Sequence, residues 1–199
     1  MFKKMCLLIP FWSLFCCGSM NITNSQNSIT VDFVDLTRYM GKWYEVASIP
    51  QSFQKKCVSD VTAEYKLLPE GQVEVKNTCL QADGSSNVAL GRARVEDKAT
   101  NAKLKVTFVK IIDWIFLFGG NYWIFDLETN YQYAVVGYRE GNYAWILSRN
   151  PSLSNEDLAK IEMNLKKIGY DTCQVLMTKQ TNGRFSERLP LCEVVKGYQ

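Results

Sequence analysis

Apolar and polar positions alternate with a period of two through most of this chain, and that alternation predicts strands. It is plainest in one hairpin, where Val61, Ala63, Tyr65 and Leu67 alternate with Thr62, Glu64 and Lys66 before the Pro69-Glu70-Gly71 turn. Beyond the turn, Val73 and Val75 alternate with Gln72, Glu74 and Lys76. Leu104, Val106 and Phe108 face one way, and Lys103, Lys105 and Thr107 the other. Further strand-period segments cover residues 42–49, 88–95, 121–127, 132–138 and 142–149. Short meander connections between half-buried strands predict an all-β domain, an eight-stranded up-and-down antiparallel barrel, because closure removes exposed sheet edges. A two-sheet sandwich is the rival architecture.

The period changes once. Ser154 can cap a helix with Glu156 and Asp157 in its first turn, Leu158, Ile161, Leu165 and Ile168 form an apolar stripe, and Gly169 ends it. The stripe predicts one C-terminal α-helix packed outside the barrel. A short ninth strand is expected near residues 172–178, and no internal repeat is evident.

The first residues read differently. Lys3 and Lys4, followed by the short apolar run from Met5 to Phe15, have the form of a secretory signal peptide and are too short for a membrane-crossing helix. Leu14-Phe15-Cys16-Cys17 resembles a bacterial lipobox, with Cys17 in the acylated position; ordinary cleavage of a secreted protein is the alternative. Residues 1–17 are therefore read as the leader, 18–35 as a polar tether, 36–180 as the barrel and 181–199 as a tail. Gly18 follows the anchor where an inner-membrane retention signal would carry Asp, which points to the outer membrane, periplasmic side, or else to secretion.

Of 23 Lys and Arg, two lie in the leader, leaving 21 against 20 Asp and Glu, so there is no electrostatic footprint for nucleic acid. The chain has no histidine, which excludes Ser-His-Asp and Cys-His nucleophiles and leaves a thiol metal site without its usual partner. No cofactor motif is present. Aromatic residues make up 13%, suiting either a wide apolar cavity or a β-rich core. Of seven cysteines, Cys6, Cys16 and Cys17 belong to the leader and anchor. Cys57, Cys79, Cys173 and Cys192 remain, and in an exported domain they predict two disulfides with three possible connectivities. Extending the hairpin's parity puts Cys57 and Cys79 on one apolar face at its open ends, which favours Cys57-Cys79 and then Cys173-Cys192.

Three segments resemble the lipocalin family, in particular its bacterial lipoprotein branch. Gly41-Lys42-Trp43-Tyr44-Glu45 is similar to the family's first motif. Leu127-Glu128-Thr129-Asn130-Tyr131 lies where the second motif commonly has Asp before its Tyr, with Glu128 in that place. Arg149, ending Trp145-Ile146-Leu147-Ser148-Arg149, matches the third. The resemblance covers about residues 36–178 and implies that Arg149 packs over Trp43 at the barrel's closed end, a structural pair. A guanidinium stacked on an indole is worth about 0.5–2 kcal/mol.

An eight-stranded barrel has room inside for side chains or one small ligand. If Trp43 points inward, parity adds Glu45, Ala47, Val61, Ala63 and Tyr65, and from later strands Val73, Val75, Leu104, Val106 and Phe108. Trp123, Phe125, Tyr143 and Trp145 complete the expected lining, although both faces of their strands are apolar. Such a cup suits a fatty acid or lysophospholipid. Burying about fourteen methylenes yields at most ~11 kcal/mol before entropic losses. The apolar Lys110-to-Gly120 segment, with Trp114, Ile115 and Phe116 at its centre, falls at the cup's mouth and is far too greasy for a solvated loop. It reads as a membrane-contacting lip, a lid, or a homodimer surface. The function expected is lipid storage, transport or repair without catalysis; a secreted module sequestering another hydrophobic ligand, or a rare lipocalin enzyme built on a lone Cys, is the alternative.

Overall fold

The computed structural model describes residues 29–198. Cys17, the leader and residues 18–28 of the tether lie outside the described residues. The alternating segments become β1 (Gly41–Ser48), β2 (Cys57–Leu67), β3 (Val73–Gln81) and β4 (Ser86–Val95). They continue as β5 (Lys103–Thr107), β6 (Gly120–Leu127), β7 (Tyr133–Tyr138) and β8 (Tyr143–Ser148). Each pairs antiparallel with the next, and β1 pairs with both β8 and β2, so the sheet closes into the up-and-down barrel and the sandwich is excluded.

Closure is not uniform along β1. Its first half, Gly41 to Tyr44, pairs with β2, after which the two strands part. The short β9 (Leu176–Met177) pairs with Ala47 and Ser48 in the space that opens. Gln180 then bridges the gap: its Nε2 donates to Glu45 O at 2.9 Å and Val61 O at 2.8 Å, satisfying two carbonyls that have lost their ladder partners.

The predicted helix is α2 (Asn155–Lys167), with Ser154 Oγ accepting from Asp157 N at 3.0 Å and Gly169 at φ +88° beyond its end. Leu158, Ile161 and Leu165 are buried against the outer wall with Val46, Val135 and Ile146. This outer core is distinct from the one inside the barrel. The tail reaches this core as well: α3 (Leu191–Val194) contributes Leu191, and Val195 follows, both fully buried. Cys173 is bridged to Cys192, which ties α3 beneath α2, and Cys57 is bridged to Cys79 across β2 and β3. At the other terminus, residues 29–35 of the expected tether run across the closed end, where Val34 is fully buried and Val31 N donates to Ile124 O. A four-residue helix, α1 (Leu36–Tyr39), capped by Asp35, leads from there into β1.

Candidate functional site

The closed end is built around Trp43. Its indole Nε1 donates to Tyr39 O at 2.8 Å, and the Arg149 guanidinium lies 3.7 Å from the ring centroid. Arg149 also donates to Arg38 O, Tyr39 O and Met40 O at the end of α1 and to Lys42 O in β1, so one cation ties the helix end to the first strand. Glu128 holds the turn, accepting from Asn130 N at 2.8 Å, while Tyr131 at φ +62° sends its hydroxyl to accept from Asp35 N.

Above Trp43 the bore is packed. Tyr39, Tyr65 and Tyr122 meet there, with hydroxyl separations of 2.8 Å from Tyr39 to Tyr122 and 3.1 Å from Tyr65 to Tyr122. Burial disfavours the phenolate, so the Tyr65 hydroxyl is pushed up to about 12 and those of Tyr39 and Tyr122 lie well above the usual tyrosine value. Val73, Val75 and Leu104 are buried around them, and Ala63 and Val106 pack on the same cluster. The space left between these residues and Leu36 is about 20 Å³, enough for one water.

The upper half is different. Val61 shares the inward face with Ala63 and Tyr65 in the alternating burial of β2. Tyr143 and Trp145 face inward on β8 with Leu147, yet both remain half-buried. Phe108 follows β5 with the inward parity of Leu104 and Val106 and stays 45% exposed at the rim. A Cβ on Gly91 would come within 2.7 Å of the Phe108 ring, so the glycine makes the seat on which that ring lies. Glu45 is buried at this level. Its carboxylate accepts from Ser48 Oγ at 2.8 Å, Thr178 Oγ1 at 2.6 Å and Gln54 Nε2 at 2.8 Å. Gln54 comes from a 3-10 turn, Ser52–Gln54, between β1 and β2, and its Oε1 accepts from Trp145 Nε1 at 3.3 Å. Thus the β1–β2 loop folds over the mouth and is latched to Glu45 and Trp145 by one amide.

Three of the expected lining residues are elsewhere, Ala47 because of a β-bulge, Trp123 and Phe125 because β6, apolar on both faces, turns its other face inward. In β1 the register shifts between Glu45 and Ala47, so Ala47 faces outward opposite Ile146 while Ser48 takes the inward place opposite Trp145. In β6 the register shifts between Ile124 and Asp126; Phe125 packs outward against Tyr170 at 5.9 Å, and Trp123 lies outward opposite Lys103 and Gly137. The inward residues of that strand are Tyr122 and Ile124, missed because the strand is apolar on both faces. Gln54, Thr178 and Gln180 were also missed. Their contacts with Glu45 span from 9 to 135 residues, and polar side chains in loops and tails carry no local signal of such a role.

The greasy Lys110-to-Gly120 segment leaves the mouth but does not cap it. It folds back over the outer faces of β4 and β5 as a flap, with the Arg92 guanidinium 5.4 Å from the Trp114 ring and that of Arg94 4.6 Å from Phe116. Thr107 Oγ1 donates to Ile115 O at 2.9 Å beneath it. Trp114, Ile115 and Phe116, expected as the contact edge, are therefore half-buried against the wall, and the outward edge is Ile111, Ile112, Leu117 and Phe118, the most exposed being Ile112 at 95%. Between flap and wall runs a groove of about 660 Å³. Cys57, being bridged, offers no thiol for chemistry. Among the described residues no cluster of Cys, Asp and Glu could hold a metal ion, and no helix is long and apolar enough to cross a membrane.

A family model described as a lipocalin-like domain matches residues 34–180. The chain is 36% identical over 166 residues to the outer membrane lipoprotein Blc of Vibrio cholerae, covering 82% of this chain and 91% of that one. It is 33% identical over 163 residues to temperature-induced lipocalin-1 of Arabidopsis thaliana, with 81% and 87% covered. Apolipoprotein D of Mus musculus is 32% identical over 157 residues, with 74% and 78% covered. Among solved structures, insecticyanin from the tobacco hornworm Manduca sexta shares the fold at a TM-score of 0.61 and 19% identity, covering 81% of this chain and 92% of that one.

Proposed function

The chain belongs to the lipocalin family, and from that premise we propose that it binds a fatty acid or lysophospholipid, tail down in the upper bore, in the storage, transport or repair of envelope lipids. One observation carries this reading: Tyr143, Trp145 and Phe108 aim into the barrel and are still reached by solvent, whereas Val73 and Leu104 below them are 2% and 6% exposed. An apolar wall that water touches is surface an acyl chain can cover, at about 0.8 kcal/mol per buried methylene. The tyrosine cluster sets the floor, so the chain enters only part-way and its head stays at the mouth beside Gln54. Lipidation at Cys17 would hold the domain at an outer membrane, in keeping with the leader pattern and with the Vibrio cholerae relative, an outer membrane lipoprotein. The exposed edge of the flap is the surface proposed to touch that membrane.

The test is mass spectrometry of organic extracts from protein purified without detergent. Single-chain acyl species at close to one per protein are expected. A lipid-free protein that also takes up neither palmitate nor lysophosphatidylethanolamine when they are offered would overturn the reading.

A further inference from the structure

We infer that the groove between the flap and the outer wall is a second ligand site, separate from the bore, which takes the tail of a free anionic single-chain amphiphile and sets its head against Arg94 and Lys105. The inference goes beyond the bore reading and does not need it. The groove is shallow and open to solvent, with about 660 Å³ beside its lining, so a guest lies along it and is not enclosed, while the packed half of the bore leaves about 20 Å³. Its apolar lining comes from the flap: Ile111, Ile112, Trp114, Ile115, Phe116 and Leu117.

The charge comes from the wall. Arg94 and Lys105 stand opposite each other on β4 and β5, outward by parity because Ala93 and Leu104 point into the bore. Glu96 accepts from Arg94 Nε at 2.6 Å, and neither the Arg94 Nη nitrogens nor Lys105 Nζ has a hydrogen-bond partner among the described residues. Beside them, Arg92 Nε is buried without an acceptor. Asp113 is the one carboxylate in the lining, and its Oδ1 already accepts from Trp114 N at 2.7 Å. Inside the barrel the arrangement is reversed: Glu45 is a buried carboxylate met only by neutral donors. An anionic head is therefore met by cations at the groove, whereas that of a chain in the bore stays at the mouth beside the neutral Gln54 amide, clear of Glu45.

How the flap is held also favours a guest. Its anchors are polar or cationic: Thr107 Oγ1 on Ile115 O, Ile115 N on Val109 O, and the arginines over Trp114 and Phe116. Its apolar side chains are left over, with Ile111 77% and Leu117 83% exposed beside the open volume. A chain laid in the groove would cover them and gain the burial they now lack.

Tryptophan fluorescence of the full chain separates the two sites, since Trp114 lines the groove and Trp145 the bore. A stearate brominated at mid-chain quenches indoles it touches, and it is titrated below its aggregation threshold without vesicles. We expect quenching of Trp114, seen as a component that disappears in Trp114→Phe. The paired reversal Arg94→Glu with Lys105→Glu should weaken that component about tenfold or more and leave the Trp145 component, removed by Trp145→Phe, unchanged. In the native chain, the uncharged methyl ester should bind the groove more weakly than the acid, a control independent of any variant's folding. Quenching that is the same in Trp114→Phe as in the native protein, or that is indifferent to charge reversal and esterification, overturns the inference. A missing Trp145 component with Trp114 still quenched overturns the bore reading alone.

Discussion

The two ends of this barrel use aromatic residues in opposite ways. At the closed end Trp43, Tyr39, Tyr65 and Tyr122 are locked, each polar atom matched to a carbonyl or another hydroxyl, with Arg149 spread across four backbone oxygens. At the mouth Tyr143 and Trp145, 5.4 Å apart, are hydrogen-bonded yet only half-buried, Phe108 is 45% exposed, and on the flap Ile112 and Phe118 stand in solvent. Residues of the same chemical kind thus supply stability where both faces are packed and leave binding capacity where one is bare. The difference is one of neighbours: apolar area already removed from water has been spent on folding, and area still wet is free for a ligand.

That contrast can be broken most sharply at Trp43. Trp43→Ala should cost about 3–5 kcal/mol in denaturant unfolding, because a fully buried indole, its hydrogen bond and the Arg149 stack go together. A loss below about 1 kcal/mol would mean that the closed end is not where stability resides.

Alkaline pH probes the same end without mutation. The buried tyrosines hold their protons more tightly folded than unfolded, so stability should be intact below about pH 10 and drain as the pH climbs toward 12. Tyr65 alone accounts for on the order of 3 kcal/mol of this, by the shift from its ordinary value of 10 to about 12. Unfolding curves between pH 9 and 12, read with phenolate absorbance, check it; free titration of all tyrosines near pH 10 in folded protein would contradict a sealed floor.

At the mouth the expected effect is smaller and divided. Glu45→Ala strands the donors of Ser48, Thr178 and Gln54 and should cost about 1–3 kcal/mol, with Glu45→Gln recovering part of it. Gln54→Ala frees the β1–β2 loop from both Glu45 and Trp145, and faster release of bound lysophospholipid in stopped-flow displacement is the expected outcome. An unchanged rate would show that this loop is no gate.

The flap gives the least in stability. Ile112→Ser with Leu117→Ser should shift unfolding by no more than about 0.5 kcal/mol, both side chains being largely in water. Co-sedimentation with lipid vesicles should nevertheless fall. Unchanged partitioning would remove the proposed membrane contact and leave the flap to its groove.

Much of this was legible along the chain. Alternation located all eight strands, the 3.6 period and Ser154 cap located α2, and the parity of the β2–β3 hairpin paired Cys57 with Cys79. Most of the bore could be read too, because Ala63, Tyr65, Val73, Val75, Leu104 and Val106 lie on strands whose opposite face is polar. The reading failed for Ala47, where a bulge inserts one residue and flips the parity beyond it, and for Trp123 and Phe125, whose strand is apolar on both faces and gives no sign of which one turns inward. It failed again for the flap. Composition marks residues 110–120 as too apolar for water, but does not say which surface they turn to.

Local pattern determines local shape, and so the period of the side chains, the caps and the motif around Trp43 were enough to specify a closed barrel with a helix outside. What they leave open is every decision made between distant segments: which face of an all-apolar strand looks inward, which loop amide reaches a buried carboxylate, and whether a greasy loop covers a mouth or lies against a cationic wall. Those choices rest on contacts such as Gln180 with Val61, 119 residues apart, and on free-energy differences that exist only once the chain has closed on itself.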